Sequence, residues 1–205
     1  MTRDAPWSLP ESAPVAGIVL AAGSSSRLGT NNLLAELAGE PLVRRAARCG
    51  LAAGLSPLIV VLGFDPEPVS AALAELPVTR VTNPRPAEGM PSSLRAGIGA
   101  VPAACGAALV LLPDMPLVTS PMLVEMTDRF RAGGAPLVIT LYGETPAPPT
   151  LYARALFPAL LAAGEGGREV VRAHRGKAAV VRRPAGLLVD VDAPADLERL
   201  RSLSP

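Results

Sequence analysis

Asp114 lies in Leu111-Leu112-Pro113-Asp114-Met115-Pro116, directly after the apolar run Ala107–Leu112. A carboxylate at the end of a buried strand suits a hard divalent cation, and between prolines it equally suits a turn. A second acidic stretch, Asp190-Val191-Asp192-Ala193-Pro194-Ala195-Asp196, offers three more carboxylates. Asp190 and Asp192 alternate, which on a strand would turn both to one face. Either could complete a cation site with Asp114, and Asp192 is the preferred partner. Its other reading is as part of the cap of the last helix. Asp196, two residues after Pro194, suits the first turn of that helix and reads as structural.

Opposite in chemistry is Leu20-Ala21-Ala22-Gly23-Ser24-Ser25-Ser26-Arg27-Leu28-Gly29, which follows the apolar Ile18-Val19-Leu20. A Gly/Ser-rich turn after a strand lets backbone N–H groups crowd into a concave anion site, and Arg27 adds a fixed positive fork. Taken alone, the segment could be an ordinary surface loop. Asn83 to Arg95 contains Ser92 and Ser93 at the expected start of a helix. Hydroxyls and free N–H groups there can hold a ribose, a base edge or a phosphate, and plain N-capping by Ser92 is the competing account.

Apolar runs must position these groups. Strands are expected at Gly17–Leu20, Leu58–Leu62, Thr79–Thr82, Ala107–Leu112 and Leu137–Tyr142, with helices at Pro41–Ala53, Val69–Leu76, Ser92–Ala100 and Pro121–Ala132. Pro41 and Pro121 suit first helical positions, Ser120 an N-cap, and Gly54 and Gly133 helix stops. Alternating strands and helices predict an α/β protein with a mostly parallel sheet covered on both faces. Ligands of such sheets sit beyond the carboxyl ends of the strands, where all these segments fall. Further on, Pro146–Thr150 reads as a rigid surface connection and Arg154–Ala163 as a helix before the glycines of 164–167. Arg168–His174 reads as a short helix, Val180-Val181 and Leu187–Val191 as short strands, and Pro194–Leu203 as a closing helix.

The 205 residues, 49% hydrophobic, fit one domain (15–205) behind a flexible tail (1–14) in which Trp7 could dock. Net charge is +1, with no basic patch for nucleic acid or membrane. Cys49 and Cys105 read as buried free thiols. Without a signal-peptide pattern or a membrane-length apolar run, a cytoplasmic location is expected. Lys177 is the only lysine among nineteen Lys and Arg residues, and His174 is the only histidine. A lone histidine in an Arg-rich helix is more often a packing residue than a catalyst.

Together the segments resemble the molybdenum cofactor nucleotidyltransferase family, in particular its cytidylyltransferase branch. The family's LAAGxSxRxG matches Leu20–Gly29, NPxxxxGMxSSLxxG matches Asn83–Gly97, PDMP matches Pro113–Pro116 and DxDxPxDL matches Asp190–Leu197. The resemblance is collinear from Ile18 to Leu203. It implies a Rossmann-like, three-layer nucleotidyltransferase fold. It also implies Mg²⁺ at Asp114 and Asp192, with Arg27 and Asp114 as the catalytic groups. Nucleotide contacts carried over are Leu20, Ala21, Ala22, Gly23, Ser24, Ser25, Arg27, Asn32, Asn83, Gly89, Ser92 and Ser93. The LAAG and PDMP forms point to CTP over GTP. The implied acceptor is molybdopterin, with a molybdoenzyme apoprotein as a possible recipient. Transfer to another small phosphorylated acceptor, or a weakly catalytic carrier of nucleotide or cofactor, are the alternatives.

Three departures stand out. Asn32 occupies the position of a family lysine that would neutralise charge on the leaving phosphates. Ala147-Pro148-Pro149 replaces a family GHP. Gly164 stands where an Asp is expected, with Glu165 one residue on, while Gly166, Arg168 and His174 stay in step.

Overall fold

A computed structural model describes residues 7, 13–23 and 31–203. Seven strands form one sheet in the order β5-β4-β1-β6-β8-β7-β9, comprising β1 (Val15–Ala21), β4 (Leu58–Leu62), β5 (Val78–Thr82), β6 (Ala107–Leu111), β7 (Leu137–Tyr142), β8 (Thr145–Ala153) and β9 (Ala179–Arg183). β2 (Glu36–Leu37) and β3 (Glu40–Pro41) make a separate small hairpin. The helices are α1 (Leu42–Ala52), α2 (Pro66–Ala72), α3 (Met90–Gly99), α4 (Ser120–Arg131), α5 (Phe157–Ala162), α6 (Gly167–His174) and α7 (Pro194–Leu203). All strands of the sheet run parallel except β8, which pairs antiparallel with both β6 and β7. The fold is therefore the expected Rossmann-like α/β arrangement.

β1, β4 and β6 are buried along their whole length, so their side chains divide by parity between two cores rather than between core and water. Val15, Val19, Val60 and Leu109 join Val43, Val69 and Leu123, from α1, α2 and α4. Ala16, Ile18, Ile59 and Val110 join Leu94, Phe157 and Val170, from α3, α5 and α6. Between the ends of β1 and β4 the backbones nearly touch. A Cβ on Gly63 would stand 2.5 Å from the Ala22 carbonyl oxygen, so only glycine lets the loop after β1 leave the sheet here.

Several local expectations need correction. Pro146–Thr150 belongs to β8, inside the sheet. Only Thr150–Ala153 pair with β6, while the preceding half pairs with β7 alone across a register shift at Ile139/Thr140. The prolines thus occupy a half-edge where their missing N–H groups are not needed. Thr140 Oγ1 and the Tyr142 hydroxyl donate to the Pro149 and Pro148 carbonyls, at 2.8 and 3.1 Å.

Leu187–Val191 is not a strand. A 3-10 turn covers Ala185–Leu187, and the chain then crosses the edge of the sheet without joining it. Val191 is buried against Leu37, Leu42, Leu197 and Leu200, a satellite core that takes the apolar residue the sheet does not. Arg154–Ala163 divides into a 3-10 turn, Arg154–Leu156, and α5. α2 begins and ends earlier than Val69–Leu76.

The caps shift by a residue: Pro41 is the N-cap of α1, and Thr119 that of α4 with Ser120 already helical. Gly54 and Gly133 do follow α1 and α4, with φ of 75° and 82°. Cys105 is buried and Cys49 half-buried; both are free thiols. Trp7 is half-buried and packs against the core on the α1 side. No helix among the described residues is long and apolar enough to cross a membrane.

Candidate active site at the carboxyl edge of the sheet

Asp114 follows β6 by three residues, in a tight turn where Met115 N–H donates to the Leu112 carbonyl (3.4 Å) and Val118 N–H to that of Met115 (3.2 Å). Pro113 and Met115, flanking it, are both buried, which fixes the turn against the core. The Asp114 main-chain oxygen accepts the Val191 N–H at 2.8 Å. That bond lays the acidic segment of residues 190–192 beside it. Asp114 Oδ1 is buried and has no hydrogen-bond partner among the described residues. Burial pushes its carboxyl up to about 6; Asp190 and, less strongly, Asp192 push the same way, while its own backbone N–H opposes them. Burial likewise raises Asp190, helped by Asp192 and Asp196. The two partners of Asp114 are thus brought near by a loop, not by strand alternation, and Asp190 acts on Asp114 more strongly than the preferred Asp192.

Asp196 has the structural role expected of it. Its Oδ2 accepts the N–H groups of Asp192 (3.0 Å) and Ala193 (2.8 Å), reaching back over the start of α7 as an acidic residue at the third helical position does. Asp192 thus supplies a backbone N–H to this cap, and its side chain is exposed.

Asn32 lies on the other side of the acidic segment. It opens a 3-10 turn, Asn32–Leu34, whose Leu33 N–H is held by the Asn31 side chain at 3.1 Å. Only 5% exposed, Asn32 donates its Nδ2 to the main-chain oxygens of Asp192 (3.3 Å) and Val191 (3.5 Å). Its Oδ1 is buried without a partner among the described residues.

The segment after β5 is organised differently. Asn83 N–H donates to the Leu62 carbonyl at 2.8 Å, tying this segment to the end of β4. Asn83 Nδ2 donates to Ser92 Oγ (2.8 Å) and Ser93 Oγ (3.1 Å), and its Oδ1 accepts the Arg85 N–H (2.9 Å). Ser92 Oγ directs its single proton between the Arg85 and Gly89 carbonyls. α3 begins at Met90 with Gly89 as N-cap, so Ser92 is not a cap: it and Ser93 lie inside the first turns. These side chains hold the loop to the helix, and the N-terminal turn of α3 faces the same edge as Asp114.

Leu20 and Ala21 close β1, and Ala22 and Gly23 lead off it toward this edge. Ser24, Ser25 and Arg27 lie outside the described residues. His174 keeps its Nδ1 on the Val170 carbonyl (3.0 Å), within its own helix, and Lys177 is exposed in the next turn. Tyr142 was legible only as a strand residue. It neighbours this edge: burial and Asp190 push its hydroxyl up, Arg183 opposes them, and the result is about 12.

Among the described residues, no three Asp, Glu, His or Cys side chains converge into a ready-made cation cage. The donors present are nonetheless all hard oxygens, and one is a buried carboxylate oxygen with no partner among the described residues. That set fits a Mg²⁺-like ion, which keeps several waters and takes one or two carboxylates together with substrate phosphates.

The comparisons agree with this architecture. The GlmU protein of Anaeromyxobacter dehalogenans 2CP-C is 32% identical over 193 residues, 91% of this chain. The chain spans about a third of the length of such curated relatives, 34% in this case. Rv0371c from Mycobacterium tuberculosis H37Rv superposes with a TM-score of 0.79 at 25% identity, covering 92% of this chain and 98% of that one. Its complex with manganese gives a TM-score of 0.76 at 23% identity, covering 93% and 98%. Mth528, a nucleotidyl transferase from Methanothermobacter, has the same fold at a TM-score of 0.80 and 23% identity, with 93% and 97% covered. Residues 17–179 match the MobA-like NTP transferase domain, and the chain belongs to that family of nucleotidyltransferases.

Proposed function

We propose that this nucleotidyltransferase moves CMP from CTP to the terminal phosphate of a molybdopterin-type cofactor, with Mg²⁺ as the cation. The observation that carries the cation-assisted transfer is the buried Asp114 Oδ1 after β6, without a partner among the described residues and with the 190–192 carboxylates beside it. A phosphate oxygen of the acceptor attacks the α-phosphorus of CTP. A new P–O bond forms, the bond to the β-phosphate oxygen breaks, and pyrophosphate leaves. When bound, the cation supplies charge neutralisation on the triphosphate oxygens. Asp114 and Asp192 hold it, and Gly23, Ser24, Ser25 and Arg27 cradle the phosphates. The first turn of α3, braced by Asn83, Ser92 and Ser93, flanks the nucleoside. Positioning and fixed charge carry such chemistry, so His174 is not needed as a base.

CTP and molybdopterin rest on the LAAG and PDMP resemblance. The manganese complex of Rv0371c supports a divalent cation. A second reading, transfer to another small phosphorylated acceptor, is favoured by the match to GlmU proteins. Pyrophosphate release, measured with each of the four NTPs and Mg²⁺, with and without molybdopterin, separates the two. CTP with molybdopterin should support turnover and the other nucleotides should not. Equal or faster release with UTP or GTP would overturn the nucleotide assignment. Turnover of CTP with a sugar phosphate but not with molybdopterin would establish the second reading.

A further inference from the structure

Position 32 is where family resemblance expects a lysine facing the phosphates, yet the amide there is turned toward the chain itself. We infer that Asn32 is a positioning residue: its side-chain N–H groups hold the 190–192 segment so that its carboxylates stand beside Asp114. This rests on the cation-site reading above.

The segment is held from two sides through one residue. Val191 gives its N–H to the Asp114 carbonyl at 2.8 Å, while its own carbonyl, with that of Asp192, faces Asn32 Nδ2 at 3.5 and 3.3 Å. Exchanging the amide's nitrogen and oxygen would set Oδ1 against two carbonyl oxygens, so the partners fix its orientation. The contact joins positions 159 and 160 residues apart, linking the turn after the glycine loop to the chain that enters α7. Asn32 is itself anchored by the Asn31 cap and by the burial of Leu33.

An apolar residue of similar volume would fill this site without stranding a buried oxygen, as Asn32 strands its Oδ1. What asparagine adds over that residue is the donor pair. A lysine could also donate to these carbonyls, but its charge would compete with the cation for Asp114. Asparagine keeps the donors and leaves position 32 neutral.

Mn²⁺ binding to the full chain, followed by electron paramagnetic resonance of the free ion with and without CTP, tests the inference. Partners that orient metal ligands are typically worth 10–100-fold in metal affinity. Asn32→Leu and Asn32→Ala should each weaken Mn²⁺ binding by about tenfold or more. Cooperative unfolding should persist, and excess Mn²⁺ should restore most of kcat. Asn32→Gln, which retains the donors, should recover part of the affinity. Mn²⁺ affinity within about twofold of wild type in both apolar variants, or loss of cooperative unfolding in both, would overturn the inference; in the latter case the residue holds the core instead. Asp114→Asn separates the two readings. If it alone loses Mn²⁺, the cation site stands and the role of Asn32 falls; if it too keeps wild-type affinity, both fall.

Discussion

Two polar clusters lie at the same edge of the sheet and follow opposite rules. Around Asn83, each buried side-chain nitrogen and oxygen of Asn83, Ser92 and Ser93 has a partner within the chain. Around Asp114, two buried oxygens, Asp114 Oδ1 and Asn32 Oδ1, have none among the described residues, and neighbouring carboxylates raise the proton affinity of Asp114 and Asp190. A satisfied buried network stabilises and orders the fold, whereas an unsatisfied one is retained at a cost. The contrast fits bracing by the first cluster and the cation binding proposed for the second, although family motifs run through both.

The largest effect that could break this contrast is at Asp114. Asp114→Asn should lower cation-dependent turnover at least about a hundredfold, since a bound cation contributes several kcal/mol of charge stabilisation. The same variant should make the metal-free protein more stable. The folded-state carboxyl lies at about 6 against an ordinary 3.8, so the folded chain binds the proton more tightly than the unfolded chain. Stability therefore falls as pH rises from about 4 to 6 and stays reduced above that. Removing the charge at pH 8 should recover about 1–3 kcal/mol, seen as a higher chemical-denaturation midpoint without added metal. A neutral effect on stability, or unaltered turnover, would place Asp114 with the satisfied cluster.

Asn83→Ala should have the next largest effect, and of the opposite kind. It leaves Ser93 Oγ and the Arg85 N–H without their partner and takes one of the bonds at Ser92 Oγ, at a cost of roughly 2–3 kcal/mol of stability. Its activity loss should follow the unfolded fraction. If stability holds while the KM for CTP rises sharply, Asn83 binds nucleotide directly and the contrast fails. Ser93→Ala is the sharpening control. Asn83 keeps Ser92, so the loss should stay under about 1 kcal/mol, with little change in KM.

Much of this was legible in the chain because apolar runs bounded by glycine and proline leave few alternatives. Leu58–Leu62 and Leu137–Tyr142 are strands at the expected bounds, and Pro194–Leu203 is the expected helix. The misreadings share a cause. Proline argues against a strand locally, yet β8 accepts three prolines because β6 ends its pairing before reaching them. Alternating Leu187, Val189 and Val191 reads as a strand locally, yet Val191 is drawn into a satellite core beside α7. Serines favour helix caps, yet Gly89 starts the helix before Ser92 is reached.

The sequence by itself determined the sheet, the carboxyl edge and the identity of the chemical groups. Strand burial, loop composition and the order of elements are short-range properties, written in consecutive residues. What only the tertiary structure decided is which of those groups are already spoken for. Whether Asn83 is satisfied, whether Asp114 Oδ1 is left alone, and whether Asn32 faces phosphate or main chain depend on partners up to 160 residues away. Hydrogen bonds are directional and saturable, so the same residue type is satisfied within the chain in one place and left with an unpartnered oxygen in another.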